Sequence, residues 1–250
     1  MSPREPLNAT YIRTELAEIP SEDLKDAVKR HPLVTRRQKL TRIFQIGFNK
    51  CGTRSIYRFF QRAGIYSGHF NRGLLALRMQ ENLAAGRKPL AGRIDQYVAF
   101  TDVQRVAAEG VIEGAAFFRE LYEYYPNSYF VLNIRDKEGW LRSRSRHGAG
   151  NYMKRYGKAL GLSRDDEIIA YWGRQWDDHL DSVQKFFADK PNQLLVYDIK
   201  NDSPEKICAF LAPDFITYPE HFRHEGDTEM VDGDAYLTNK PIFSRGNGAH

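Results

Sequence analysis

The stretch Ile43-Phe44-Gln45-Ile46-Gly47-Phe48-Asn49-Lys50-Cys51-Gly52-Thr53-Arg54-Ser55 passes from a short apolar segment through two glycines into a segment of helical period. Ile43 to Gly47 reads as a strand, and Ile56, Phe59, Phe60 and Ala63 recur at three-and-four spacing on the helix that follows. Strand, glycine-containing turn and helix in this order open a βαβ unit. Backbone N–H groups at such a helix start, with the positive end of the helix dipole behind them, favour an anion.

Outward from that stretch the alternation continues, which predicts a parallel sheet with crossover helices. Ile65 to His69 and Tyr97 to Phe100 are strand candidates, and residues 74–84 carry Leu74, Leu77 and Leu83 in a helix. Phe117, Leu121 and Tyr124 mark a helix that Pro126 stops, and Tyr129 to Ile134 is the clearest strand. Trp140 and Leu141 lie in a helix to about His147, which Gly148 and Gly150 break. Ser163 and Asp166 have capping-box spacing at the start of a long helix whose apolar stripe is Ile168, Trp172, Trp176, Leu180, Val183 and Phe187, with its tryptophans in the core. Leu194 to Ile199 is a further strand, and Ser203-Pro204 opens a helix through Ile207, Phe210 and Leu211 that ends at Pro213.

At 250 residues with 42% hydrophobic content the chain suffices for one core. Residues 1–40 are polar, are broken by Pro3, Pro6, Pro20 and Pro32, and read as an N-terminal extension. The core domain spans 41–215, and 216–250 is a polar loop or lid segment of the same domain. Cys51 and Cys208 are too few for a disulfide framework, and no basic segment followed by an apolar one opens the chain, so the expected location is cytoplasmic. No apolar run approaches the ~20 residues of a transmembrane span. The net charge of +5 is spread over interleaved signs, with local basic clusters at Lys29 to Arg42 and Arg135 to Arg146. No periodic basic stripe with interleaved aromatics supports a nucleic-acid partner.

Gly47 and Gly52 have the five-residue separation of a Walker A loop. The lysine is elsewhere: Thr53 and Arg54 stand where such a loop has Lys and Ser or Thr, and Lys50 lies inside the turn. The run Lys50, Gly52, Thr53, Arg54 resembles the 5′-phosphosulfate loop, Lys-x-Gly-Thr-(Thr or Arg)-x, of the PAPS-dependent sulfotransferases. PAPS is 3′-phosphoadenosine 5′-phosphosulfate, which has no β,γ-phosphate pair for a metal to bridge. A lysine within the loop suits charge developing on its leaving phosphate. A second resemblance lies about 80 residues on, where Arg135 ends a strand and Ser143 follows eight residues later on a helix. Family members hold the 3′-phosphate with such a pair, and an Arg fork matches phosphate oxygens.

The resemblance covers residues 42 to 213 and is strongest to bacterial members. It implies a three-layer P-loop-like fold with helices on both faces of a central parallel sheet. It also implies PAPS as donor, 3′-phosphoadenosine 5′-phosphate (PAP) as product, and no metal. Donor contacts fall on Lys50, Cys51, Gly52, Thr53, Arg54, Ser55, Arg135 and Ser143. Ser55 replaces the adenine-stacking Trp of many members, and Arg245, in Ser244-Arg245-Gly246-Asn247-Gly248, is a loose counterpart of the family's third phosphate element.

Sulfuryl transfer to a hydroxyl or amine needs a general base for the acceptor proton. His69 and Asp102 both end strand-like segments, and His69 has the pKa suited to neutral pH; His147, Asp177 and His179 are lesser candidates. The acceptor, whether a small molecule, a sugar or a lipid-linked group, is not identified, although Phe70, Tyr152 and Tyr156 are candidates to line its pocket. A homodimer is compatible with the sequence. Other readings of the same residues are a P-loop small-molecule kinase, against which the misplaced lysine stands, and a non-catalytic nucleotide-binding module.

Overall fold

The structure is a computed structural model and describes residues 41–225. Five parallel strands form the central sheet in the order β2-β3-β1-β6-β7, where β1 is Ile43–Gln45, β2 Ser67–His69, β3 Ala99–Thr101, β6 Tyr129–Ile134 and β7 Leu194–Asp198. A separate antiparallel hairpin pairs β4, Gln104–Ala107, with β5, Gly110–Glu113. The helices are α1 Thr53–Arg62, α2 Leu74–Ala84, α3 Phe118–Tyr124, α4 Lys137–Ser145, α5 Asn151–Leu160, α6 Asp165–Phe187 and α7 Pro204–Leu211.

The sheet is covered on both faces, which is why its strands are apolar runs rather than alternating ones. Ile43, Tyr129, Val131, Leu195 and Tyr197 pack on one side against Ile56, Phe59 and Phe60 of α1 and Ile207 and Leu211 of α7. Their neighbours Phe44, Ile46, Phe100, Phe130 and Leu132 face the other side, against α2, α3 and the distal half of α6. This is the three-layer α/β architecture expected from the sequence. A third apolar cluster, around Phe48, Trp140, Tyr152, Tyr156, Trp172 and Trp176, joins α4, α5 and the first half of α6.

Register places Ile43 between Ala99 on β3 and Tyr129 on β6. After β1 the chain goes out to the edge strand β2, returns to β3 beside β1, then crosses to β6 and β7 on the other side. The carboxyl end of β1 is therefore the point where strand order reverses, the place where open α/β sheets bind ligands.

Three local expectations are corrected. The long helix starts one residue later than expected: Arg164 is its N-cap, and its backbone N–H donates to Glu167 Oε2 at 3.3 Å, in place of a Ser163–Asp166 capping box. The β4–β5 hairpin and α5 were not expected at all. Of the basic cluster Lys29 to Arg42, only Arg42 lies among the described residues, where its guanidinium is buried and pairs with Asp95 at 3.3 Å. The N-terminal extension lies outside the described residues. Of the C-terminal segment only 216–225 is described, and Ile216, Thr217 and Phe222 in it are buried. Among the described residues no helix is long and apolar enough to cross a membrane.

Candidate active site

The loop between β1 and α1 is held by two buried amides. The Gln45 side-chain N–H donates to the Gly47 carbonyl at 2.5 Å and also to Asn133 Oδ1. Asn133 Oδ1 accepts from Gly47 N at 3.1 Å, and its Nδ2 donates to the Cys51 carbonyl at 2.6 Å. The Trp140 indole N–H donates to the Asn49 carbonyl at 2.9 Å, and Arg135 Nη1 to the Lys50 carbonyl at 3.3 Å. Lys50 is left-handed, with φ of 66°. Non-glycine residues rarely adopt that conformation, which costs about 1–2 kcal/mol, and the surrounding bonds maintain it.

A Cβ on Gly47 would lie 2.1 Å from the Asn133 carbonyl oxygen, so strand β6 itself excludes a side chain there. Gly47→Ala must displace backbone. At a cost of ~2 kcal/mol it should lower Tm by about 4–8 °C in thermal unfolding, with PAP binding weakened in the same protein.

Arg135, at the end of β6, lies beside the Lys50 carbonyl and approaches the Asp136 carboxylate at 3.8 Å. Arg142 at 3.8 Å and Lys200 at 3.1 Å converge on the same carboxylate, which also caps α4 by accepting from Gly139 N at 2.7 Å. The Lys200 ammonium, then the Gly139 N–H, hold the Asp136 carboxyl below its usual range. Three cations share one anion here, leaving an excess of positive charge. Ser143 lies two turns into α4, half-buried. Arg135 Nε and both side-chain atoms of the buried Asn49 have no hydrogen-bond partner among the described residues. Buried polar atoms rarely stay unpaired, so the loop and the end of β6 suit a polar, anionic group.

The two leading base candidates meet. His69 Nε2 is 3.9 Å from Asp102 Oδ2, and His69 Nδ1 lies 2.9 Å from Thr101 Oγ1. Thr101 Oγ1 also lies 3.2 Å from the Gly68 carbonyl, and Nε2 is the nitrogen turned to Asp102. The imidazole stacks on Tyr57 with ring centroids 4.7 Å apart. Burial, with the Arg54 and Arg58 charges, pushes His69 down to about 3, so the imidazole is neutral at physiological pH and not the poised base its type suggests. Burial moves Asp102 the other way, up to about 7; Glu113 adds to the rise, and Lys50, Arg144 and Arg54 oppose it. Asp102 also has a positive φ of 51°, fixed where its N–H donates to Gln45 Oε1 at 2.7 Å. Phe70, Asn71 and Arg72, directly after His69, are left-handed as well. Such strain gathers at functional sites.

Of the remaining expected site residues, Cys51 is fully buried, and burial pushes its thiol far up, so the thiol stays protonated. Thr53 and Arg54 open α1. Ser55 Oγ accepts from Glu225 N at 3.0 Å, which fastens the described end of the C-terminal segment to the first turn of α1. Arg245 lies outside the described residues. Tyr152 and Tyr156 are core residues of α5, not exposed pocket walls. Asp177 is exposed and pairs with Lys137 at 2.6 Å, and buried His179 bonds the Ile46 carbonyl at 2.7 Å. His147 is held down to about 4 by burial and then by Lys50, Arg155, Arg54 and Arg144.

Sequence reasoning missed Arg144. Its side chain has no exposed surface, and it lies within 4.8–5.5 Å of the rings of Phe48, Trp140, Tyr152, Tyr156 and Trp172. It forms an ion pair with Glu113 of the hairpin.

No curated protein matches the chain. The family model of the sulfotransferase domain matches residues 42–176, more than half of the sequence, from the first strand of the sheet into the middle of α6. With the matched region holding the β1–α1 loop, the His69–Asp102 pair and Arg135 at the switch point of a five-stranded parallel sheet, the chain belongs to the sulfotransferase family, enzymes that transfer a sulfuryl group and whose membership implies PAPS as donor.

Proposed function

We propose that this enzyme seats the 5′-phosphosulfate of PAPS on the 47–55 loop and the 3′-phosphate at Arg135 and Ser143. Asp102 then takes the proton of an acceptor hydroxyl or amine. The observation that carries the reading is the convergence of the Lys50 loop, the His69–Asp102 pair and Arg135 at the carboxyl ends of β1, β2, β3 and β6. PAPS, when bound, supplies the sulfuryl group and a phosphate leaving group.

The chain's own residues do the rest. Backbone N–H groups at the start of α1, with Thr53 and Arg54, bind and orient the phosphosulfate. Lys50 supplies positive charge to the leaving oxygen as the bond to sulfur breaks. Asp102 holds the acceptor proton at Oδ2, beside His69 Nε2, and its raised pKa matches a base working near neutrality. Arg135, backed by Arg142 and Lys200, meets the 3′-phosphate with a planar fork.

Titrating PAP and AMP in the presence of chelator tests the donor site without knowledge of the acceptor. Wild-type protein should bind PAP far more tightly than AMP. Arg135→Ala should lose ~2–3 kcal/mol of PAP affinity, about 30- to 150-fold, and little AMP affinity. Ser143→Ala should act in the same sense and less. Equal losses for both ligands would make Arg135 a support of the loop through Lys50 and not a phosphate ligand.

A further inference from the structure

Behind Asp102 a line of buried polar side chains crosses from one element to the next. Arg144 Nη2 donates to Tyr152 Oη at 3.1 Å, Tyr152 Oη lies 2.6 Å from Gln104 Oε1, and Gln104 Nε2 is 3.5 Å from Asp102 Oδ1. The direction of every bond is fixed from the Arg144 end. A guanidinium has donors only, so Tyr152 accepts from it and must pass its own proton onward. Gln104 receives that proton on its carbonyl oxygen, which turns its amide N–H towards Asp102. Tyr152 and Gln104 are both buried.

We propose that Arg144, Tyr152 and Gln104 are positioning residues for the reaction, a polarised relay that occupies Asp102 Oδ1 and leaves Oδ2 as the oxygen that takes the acceptor proton. This rests on the reading of Asp102 as the base. The relay aims the carboxylate and favours its ionised form from behind. Glu113, paired with Arg144 on the far side, holds the guanidinium in place. The groups facing Asp102 are His69 from β2, Lys50 from the loop, Arg54 from α1, Glu113 from β5 and Arg144 from α4. Of their cations, Arg144 alone reaches Asp102 through Tyr152 and Gln104 as intermediaries.

The test reads Asp102 directly. In full-length protein labelled with 13C at aspartate carboxyls, the Asp102 resonance is identified by its loss in Asp102→Asn. Tyr152→Phe removes one hydroxyl and keeps the ring against Arg144; Gln104→Met removes the last donor and keeps its length. In each variant the Asp102 midpoint should rise by about half a pH unit or more, because a hydrogen bond to the charged form has been lost. On the native acceptor kcat should fall with PAP affinity unchanged. A residue that only packs would lower Tm without moving that midpoint. Unmoved midpoints in both variants, each shown folded by its unfolding transition, would overturn the relay. Full turnover by Asp102→Asn with the midpoint shifts intact would instead remove the base reading and leave the hydrogen-bond chain standing.

Discussion

Asp102→Asn should lower kcat by ~10²–10⁴ and abolish the acid limb of the pH–rate profile, with donor binding preserved. The sign follows from the carboxyl's environment. With its pKa raised to about 7, Asp102 is protonated and inactive as a base at lower pH, and turnover climbs as pH passes through that value. The same shift acts on stability. A carboxyl that holds its proton more tightly when folded contributes stability below the unfolded pKa, and that contribution is lost as pH rises through about 7. Asn cannot titrate, so the variant's Tm should decline less than that of wild type between pH 4.5 and 7.5, in about that window. A kinetic profile on the native acceptor and a pH series of unfolding curves check the two halves independently. A His69→Ala protein that is dead beside an Asp102→Asn protein of near wild-type kcat would move the base to the imidazole.

Lys50→Ala should cut kcat by ~100-fold or more while changing PAP affinity modestly. The lysine sits in a loop whose backbone is fixed independently of its side chain. Gln45, Asn133, Trp140 and Arg135 all bond loop backbone atoms and none of them needs the ammonium. Removing the side chain therefore leaves the cradle for the ground-state phosphate. What is lost is charge placed for the moment when the leaving oxygen becomes anionic. Single-turnover kinetics with PAPS, alongside PAP titrations, separate the two quantities. A loss confined to donor affinity, with kcat intact, would make Lys50 a ground-state anchor.

Much of this was legible in the sequence because burial leaves a strong pattern. β6 and α2 occupy the expected residues, Tyr129–Ile134 and Leu74–Ala84, and the α6 stripe from Ile168 to Phe187 faces the interior as its spacing required. The hairpin was not legible. Its strands, Gln104–Ala107 and Gly110–Glu113, are four residues each with only Val106-Ala107 and Val111-Ile112 as apolar pairs, although they pack on α2 and α5. α5 was hidden for another reason: Tyr152, Met153 and Tyr156 are buried at helical spacing, but two glycines precede them and Gly157 follows directly.

At the site, the sequence brought His69 and Asp102 forward separately, as alternatives. Only the pairing of β2 with β3, His69 opposite Thr101, sets them side by side. Their pKa values exchange rank for the same reason, since burial penalises whichever form is charged. No pattern along the chain reports burial of that kind. The placement of an arginine with no exposed surface inside α4 is the clearest case, because its neighbours come from the loop, α5 and α6.

That arginine constrains how the chain assembles. A guanidinium enclosed by five aromatic rings is tolerable only with its carboxylate present, and a buried charge stripped of its partner costs about 3–5 kcal/mol. Glu113 belongs to the hairpin, Tyr152 and Tyr156 to α5, and Trp172 to α6, while Arg144 itself belongs to α4. A partly folded species with the helices docked and the hairpin detached would carry that penalty, so such intermediates are depleted. These four segments should consequently form and melt as a single cooperative unit. The hairpin that holds Gln104 beside Asp102 is thereby denied the independent fraying common in short, peripheral strand pairs.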